Sequence, residues 1–179
     1  METCFINSPL GITKIVGDAD GIVSITVLNY NTLSEAREGK SNNLSFPRKW
    51  ESEEKITDII PEVLEDCVIQ LNEYFDGNRE KFSLKLNPQG TDFQKRVWEA
   101  LKTIPHGKTL SYLQLSQQLG DVKAIRAVAN ANGKNPLWII VPCHRVIGSD
   151  GSLTGYAGGL HRKQWLLEHE SPYKQQSLF

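Results

Sequence analysis

The 179-residue chain has no long apolar run; the longest, "LWIIV" at 137–141, is far short of the roughly 20 residues a membrane-spanning helix needs. Nor does its N-terminus show a basic stretch followed by an apolar one, the mark of a secretion signal. A membrane partner is therefore not expected, and the expected location is the cytoplasm, or the nucleus in a eukaryote. Cysteine is scarce. Cys4, Cys67 and Cys143 are an odd number at distant spacings with no C-x-x-C pair, which speaks against a zinc knuckle or a redox dithiol and leaves free thiols in a reducing compartment. Internal repeats and low-complexity tracts are also missing.

What is present is an ordinary globular composition, 39% hydrophobic and 23% charged, long enough for one large or two small domains. The net charge of −1 conceals an asymmetry. Residues 1–87 hold 9 Lys and Arg against 15 Asp and Glu, whereas 88–179 hold 11 against 6 and all four histidines. A basic half joined to an acidic one fits a protein with a polyanion-facing side. Charge alone does not separate that reading from unequal solvated faces.

Sheet comes first along the chain. "GITKIVGDADGIVSITVLNYN" alternates polar and apolar residues around a Gly-Asp-Ala-Asp-Gly turn and predicts an antiparallel hairpin. The polar stretch 34–54 reads as a loop. From Ile56 to Phe75 the residues Ile59, Ile60, Val63, Leu64, Val68, Leu71 and Phe75 recur at steps of three and four, a helix that Gly77 ends and in which Cys67 is a buried structural thiol. A short strand is expected at "FSLKL" (82–86), and "NPQG" (87–90) marks the boundary between domains 1–87 and 88–179. Beyond it, "TDFQKRVWEALKTIP" presents Phe93, Val97, Trp98 and Leu101 on one helical face and stops before Pro105. "LSYLQLSQQLG" and "VKAIRAVANANG" then form two short helices joined through Gly120 and Asp121, the spacing of a helix-turn-helix.

Chemistry concentrates in "IIVPCHRVIG", where Cys143, His144 and Arg145 interrupt an apolar run. After Pro142 the cysteine stands at a break in that run, so its side chain need not be buried as that of Cys67 is. In an extended segment neighbouring side chains point opposite ways, so a water would have to bridge Cys143 and His144. A nearby imidazole favours thiolate, the nucleophilic form. One Cys beside one His is nonetheless a common coincidence.

The whole segment is more specific. "VPCHRVIG", preceded by Asn135-Pro136 and followed by "GYAGGLHRKQWLLEHE", resembles the active-site signature of the O6-alkylguanine-DNA alkyltransferases. The resemblance runs through about residues 91–170, taking in "FQKRVWEAL", "GKTLSY", "RAVANANGKNP" and "WLLEHE"; the N-terminal half matches loosely, in "SPLG" and the hairpin after it. It implies an α/β protein, with an N-terminal ribonuclease-H-like antiparallel sheet and helix and a mostly helical, winged-helix-like C-terminal domain. It also implies direct-reversal DNA repair: an irreversible, stoichiometric transfer of an alkyl group, mainly methyl, from O6 of guanine to the protein, with O4 of thymine as a further candidate. Cys143 resembles the acceptor thiol, His144 the water-mediated base and Glu170 the carboxylate behind it. Arg145 is assigned a charge-pairing role.

The same resemblance makes Arg126 the finger that replaces a flipped nucleotide, with Ala127, Ala129 and Ala131 keeping its helix slim for the minor groove. Taken alone, an alanine-rich helix is more often one packed on a neighbour. Tyr112 matches the tyrosine that hydrogen-bonds the guanine ring, and Asn135 the hinge asparagine; Val146, Tyr156, Ala157 and Trp138 complete the implied substrate pocket. Ala157 replaces a common serine, a mild change because the family contact there is a backbone N–H. Trp138, bulkier than the usual small residue or proline, is expected to narrow the range of alkyl groups. The family's structural zinc ligands are not matched as a set, so neither metal nor cofactor is expected, and the partner is double-stranded DNA bearing O6-alkylguanine, met by a monomer. A non-enzymatic helix-turn-helix sensor of alkylated DNA is the alternative; it carries tryptophan at the acceptor position, which here is Cys143. A helix-turn-helix regulator with an inert cysteine would leave "PCHRV" and "WLLEHE" unexplained. A Cys-His hydrolase would need an oxyanion loop that is not recognisable.

Overall fold

The computed structural model describes residues 1–28 and 59–172. The expected loop at 34–54 and Ile56 lie outside the described residues. The fold is α/β, in two compact units: residues 1–89 with 136–138, and residues 90–135 with those from 139 onward.

In the first unit β1 (Glu2–Ser8), β2 (Gly11–Asp18) and β3 (Gly21–Val27) form an antiparallel sheet in sequential order. The expected hairpin is β2 and β3; β1 is an addition to it, in which Cys4, Ile6 and Ser8 are buried on alternate positions. Helix α1 (Glu62–Phe75) packs on all three strands. It starts six residues later than the apolar spacing predicts because Pro61 occupies its N-cap, and a proline ring within a helix would clash with the carbonyl four residues back. Ile59 is left 94% exposed and Val63 is exposed as well. The buried stripe is instead Leu64, Cys67, Val68, Leu71 and Tyr74, each large apolar member stabilising the fold by roughly 1.5–3 kcal/mol.

The expected strand at 82–86 is reduced to one parallel bridge, Ile22 with Leu86. The Ile22 N–H donates to the Lys85 carbonyl and the Asn87 N–H to that of Ile22, both at 2.8 Å. Residues 136–138 do the same one step along, with Ile25 N–H donating to Pro136 (2.7 Å) and Trp138 N–H to Ile25 (3.3 Å). Two short segments thereby cover the outer edge of β3, which would otherwise be open to intermolecular pairing.

The second unit is mainly helical. Helix α2 (Asp92–Leu101) opens with a capping box between Thr91 and Gln94 and buries Val97, Trp98 and Leu101. A two-residue strand, β4 (Leu110–Ser111), runs straight into α3 (Tyr112–Gln118), where Ser111 and Gln114 repeat the box. Gly120, at φ +86°, supplies the left-handed turn that ends α3. Asp121 caps a single 3₁₀ turn (Val122–Ala124), and α4 (Ile125–Gly133) follows, so the helix-turn-helix forms as its spacing predicts. Strand β5 (Val146–Ile147) pairs parallel with β4, and α5 (Leu160–Glu170) closes the unit.

Candidate functional site

The segment around Cys143 is not an extended strand. Pro142, at φ −81° and ψ 63°, centres an inverse γ-turn in which the Cys143 N–H reaches the Val141 carbonyl at 2.8 Å. Cys143–Arg145 then wind into one 3₁₀ turn before β5. Ile139, just upstream, is at φ +71°, the sole residue besides glycine with positive φ among the described residues, and a conformation costly for a β-branched side chain. Contrary to the expectation of a less buried thiol, Cys143 is 4% exposed. Proline and the turn set the direction of its side chain without bringing it to the surface.

The turn sends the three side chains to different partners. Asn135 Nδ2 donates to Cys143 Sγ at 3.1 Å and to the Val141 carbonyl at 2.7 Å. His144 Nε2 lies 2.8 Å from Glu170 Oε1, while Nδ1 is buried with no protein hydrogen-bond partner. Arg145 grips the same carboxylate twice, Nε to Oε2 at 2.7 Å and an Nη to Oε1 at 2.9 Å, and donates its other Nη to the Ile104 carbonyl at 2.6 Å. That is the expected charge pair. Glu170 ends α5, where the helix dipole disfavours an anion, so the guanidinium offsets both that and burial. Gly107 belongs here too: its N–H faces Glu170 Oε2 at 3.4 Å, and a Cβ on it would meet the Glu170 carbonyl oxygen at 2.7 Å.

Electrostatics follow from this wiring. Burial alone would raise the Glu170 pKa; hydrogen bonds and charge from His144 and Arg145 outweigh it and hold the carboxyl well below the usual range. Burial lowers the His144 pKa further than Glu170 raises it, so the ring is neutral near pH 7. In the tautomer that donates from Nε2 to Glu170, the buried Nδ1 carries a lone pair that can accept. Burial also pushes the Cys143 thiol up, and hydrogen bonds from Asn135 and Tyr156 and the charge of Lys163 pull it back in part. Among the described residues no hydrogen bond joins Cys143 to His144 directly.

A cleft of about 640 Å³ lies in the same unit. Tyr112, Arg126 and Ala129 line it, with Lys134 and the loop residues Thr154 and Ala157. Asn132 links it to the acceptor turn: its Nδ2 donates to the Tyr112 hydroxyl (3.3 Å) and the Cys143 carbonyl (3.4 Å). Sequence reasoning passed over Asn132, although it stands in the quoted "RAVANANGKNP"; its burial beside Val128 and Ala131 is visible only in the fold. Arg126 is exposed in the first turn of α4, and Ala127 is exposed beside it.

Three further residues of the implied pocket and groove are buried. Ala131 is 3% exposed and its carbonyl accepts the Trp98 indole N–H at 2.9 Å, so it packs on α2 and is not available to a groove. Val146 is fully buried and offers its carbonyl to Lys163 Nζ at 2.6 Å. Trp138 belongs to the first unit, is 7% exposed, and is not among the residues lining the cleft.

Two family descriptions match this chain: the 6-O-methylguanine DNA methyltransferase ribonuclease-like domain over residues 3–88, and the DNA binding domain of the same family over 92–172. The methylated-DNA–protein-cysteine methyltransferase of Methanosarcina barkeri is 42% identical, across 92% of this chain and 94% of its own. That of Mycolicibacterium paratuberculosis is 39% identical, across 97% and 94%. The crystal structure of the Mycobacterium tuberculosis O6-methylguanine methyltransferase superposes with a TM-score of 0.74 at 41% identity, covering 94% of this chain and 92% of that one. A structure of the M. tuberculosis protein in complex with DNA gives 0.75 at 40% identity, covering 95% and 93%. Matched along nearly its whole length in sequence and in structure, the chain belongs to the 6-O-methylguanine DNA methyltransferase family.

Proposed function

We propose that this protein repairs alkylated DNA by taking the alkyl group, mainly methyl, from O6 of guanine onto Cys143, with O4 of thymine as a second lesion, acting as a monomer and without a cofactor. The observation that carries the reading is the buried His144–Glu170 pair next in sequence to a thiol held by Asn135. The names and fold of the relatives support it. Residues 88–179 serve as the DNA-binding and acceptor domain, and 1–87 as the ribonuclease-H-like domain.

The thiol proton passes through a bridging water to His144 Nδ1, and Glu170 holds the imidazolium that forms. Sulfur attacks the methyl carbon in line. The S–C bond forms as the O6–C bond breaks, the electron pair stays on the guanine, and a ring nitrogen takes up the proton. Tyr112 offers its hydroxyl to the ring, and Tyr156 and Ala157 border the base. A base within a duplex cannot reach a buried thiol, so the nucleotide is extruded, with Arg126 taking its place in the stack and Ala127 and Ala129 letting α4 approach the minor groove. The thioether product is a poor leaving group, so one protein repairs one lesion. The test is a titration of O6-methylguanine duplex with protein: guanine restored should equal protein added and then stop. Several guanines restored per protein would overturn the reading.

A further inference from the structure

Lys163 is fully buried, yet no carboxylate lies within ion-pair distance of it among the described residues. Its Nζ donates to the Val146 carbonyl at 2.6 Å and the Thr154 carbonyl at 2.8 Å, and stands 5.9 Å above the centre of the Tyr112 ring. A cation satisfied only by dipoles is costly to bury, and a methionine of similar length would fill the space without that cost. Burial pulls the ammonium pKa down to about 8, against an opposing contribution from Cys143.

Its three partners define what the charge can do. Val146 lies three residues beyond Cys143 in the strand that continues the acceptor turn, and Thr154 and Tyr112 both line the cleft. The surrounding ionisable groups leave it unmatched. His144 is held neutral by burial, Glu170 is engaged by Arg145 and His144, and burial raises the Tyr112 pKa. Arg162, next in sequence, directs its guanidinium to the Gly158 carbonyl at 3.0 Å, and Tyr156 faces both Arg162 and the thiol. The group complementary to an ammonium here is the thiolate that forms at Cys143.

We propose that Lys163 is a positioning residue for the transfer step: its buried ammonium ties the Thr154 side of the cleft to the Val146 strand and supplies the positive charge that offsets the Cys143 thiolate. The proposal rests on Cys143 being the acceptor. It is tested without DNA, by measuring the rate at which iodoacetamide labels Cys143 against pH in the full chain, with the site of labelling read by peptide mass. Lys163→Met removes charge and donors; Lys163→Gln keeps a donor and removes the charge; Lys163→Arg keeps the charge. Met and Gln are expected to move the midpoint up by about one unit, a tenfold slower labelling at a fixed pH below it, with Arg restoring most of the rate. Methyl transfer from the free base and from duplex should slow together in Met and Gln, while thermal melting of the Met variant stays at or above that of the wild type. Should the Met variant fail to fold, the Gln variant decides. An unshifted midpoint in a folded Gln variant overturns the proposal. Failure of the acceptor reading looks different: the midpoint shifts, but the wild type transfers no methyl group.

Discussion

Cys67 and Cys143 are both buried thiols, and the difference between them lies in their neighbours. Cys67 faces the sheet from α1, and burial, with Cys4 adding to it, pushes its pKa up to about 12. Cys143 is as well buried, but Asn135, Lys163 and Tyr156 oppose the same desolvation. Burial therefore does not decide whether a thiol is inert; the polar groups around the sulfur do. Dryness even helps Cys143, because each opposing dipole and charge acts at low dielectric.

The largest expected effect separates the two cysteines outright. Cys143→Ser should abolish transfer while leaving DNA binding in place, whereas Cys67→Ser should transfer normally and lose roughly 1–3 kcal/mol of stability through an unsatisfied hydroxyl. Burst amplitude and a denaturant melt on both variants check this. Equal losses of transfer would erase the comparison.

Next in size is Glu170→Gln, which leaves Arg145 buried without its anion and His144 without its anchor. Transfer should fall on the order of a hundredfold and stability by about 3–5 kcal/mol. It also sharpens the pH dependence. Both His144 and Glu170 have native pKa values below their ordinary 6.5 and 4.5. The unfolded chain therefore binds more protons in acid, and native stability should fall below pH 6.5 as His144 resists protonation, then more steeply below 4.5. Melting curves from pH 8 to pH 3.5 should show both losses in the wild type, and the Gln variant should lack the second.

A tenfold or greater effect is expected for Arg126→Ala, but only on duplex, because a free alkylguanine base needs no extrusion. Single-turnover rates on the two substrates measure it. Equal losses would place Arg126 in the fold. The smallest effect on chemistry is expected at Trp138. Trp138 is 7% exposed, so Trp138→Ala should cost about 3–5 kcal/mol of stability, and it should lower the ratio of methylguanine to benzylguanine rates severalfold, as an indole that narrows the alkyl pocket requires.

The helix-turn-helix was legible in the sequence because two short helical stretches and the Gly120–Asp121 turn between them point the same way. The start of α1 was not, because apolar spacing upstream of Pro61 masks a helix that proline stops. At the site, residue identity was readable through an ordered set of motifs, but backbone geometry was not: Ile and Val flanking Cys143 read as strand, while Pro142 and a strained Ile139 turn the chain instead. Asn132 and Lys163 escaped notice for a related reason. Each sits in a helix of mixed polarity where a polar side chain is assumed to face solvent, and burial appears only once the helices pack. The pairing of 136–138 with β3 joins residues over a hundred positions apart, beyond any local pattern.

The comparison between the thiols is tested most directly by digesting the protein after incubation with O6-methylguanine DNA and locating the added mass. The expected result is one CH₂ on the peptide carrying Cys143, in an amount equal to the guanine restored, with Cys67 and Cys4 unmodified. A methyl group on Cys67, or restored guanine with no modified cysteine, would contradict it.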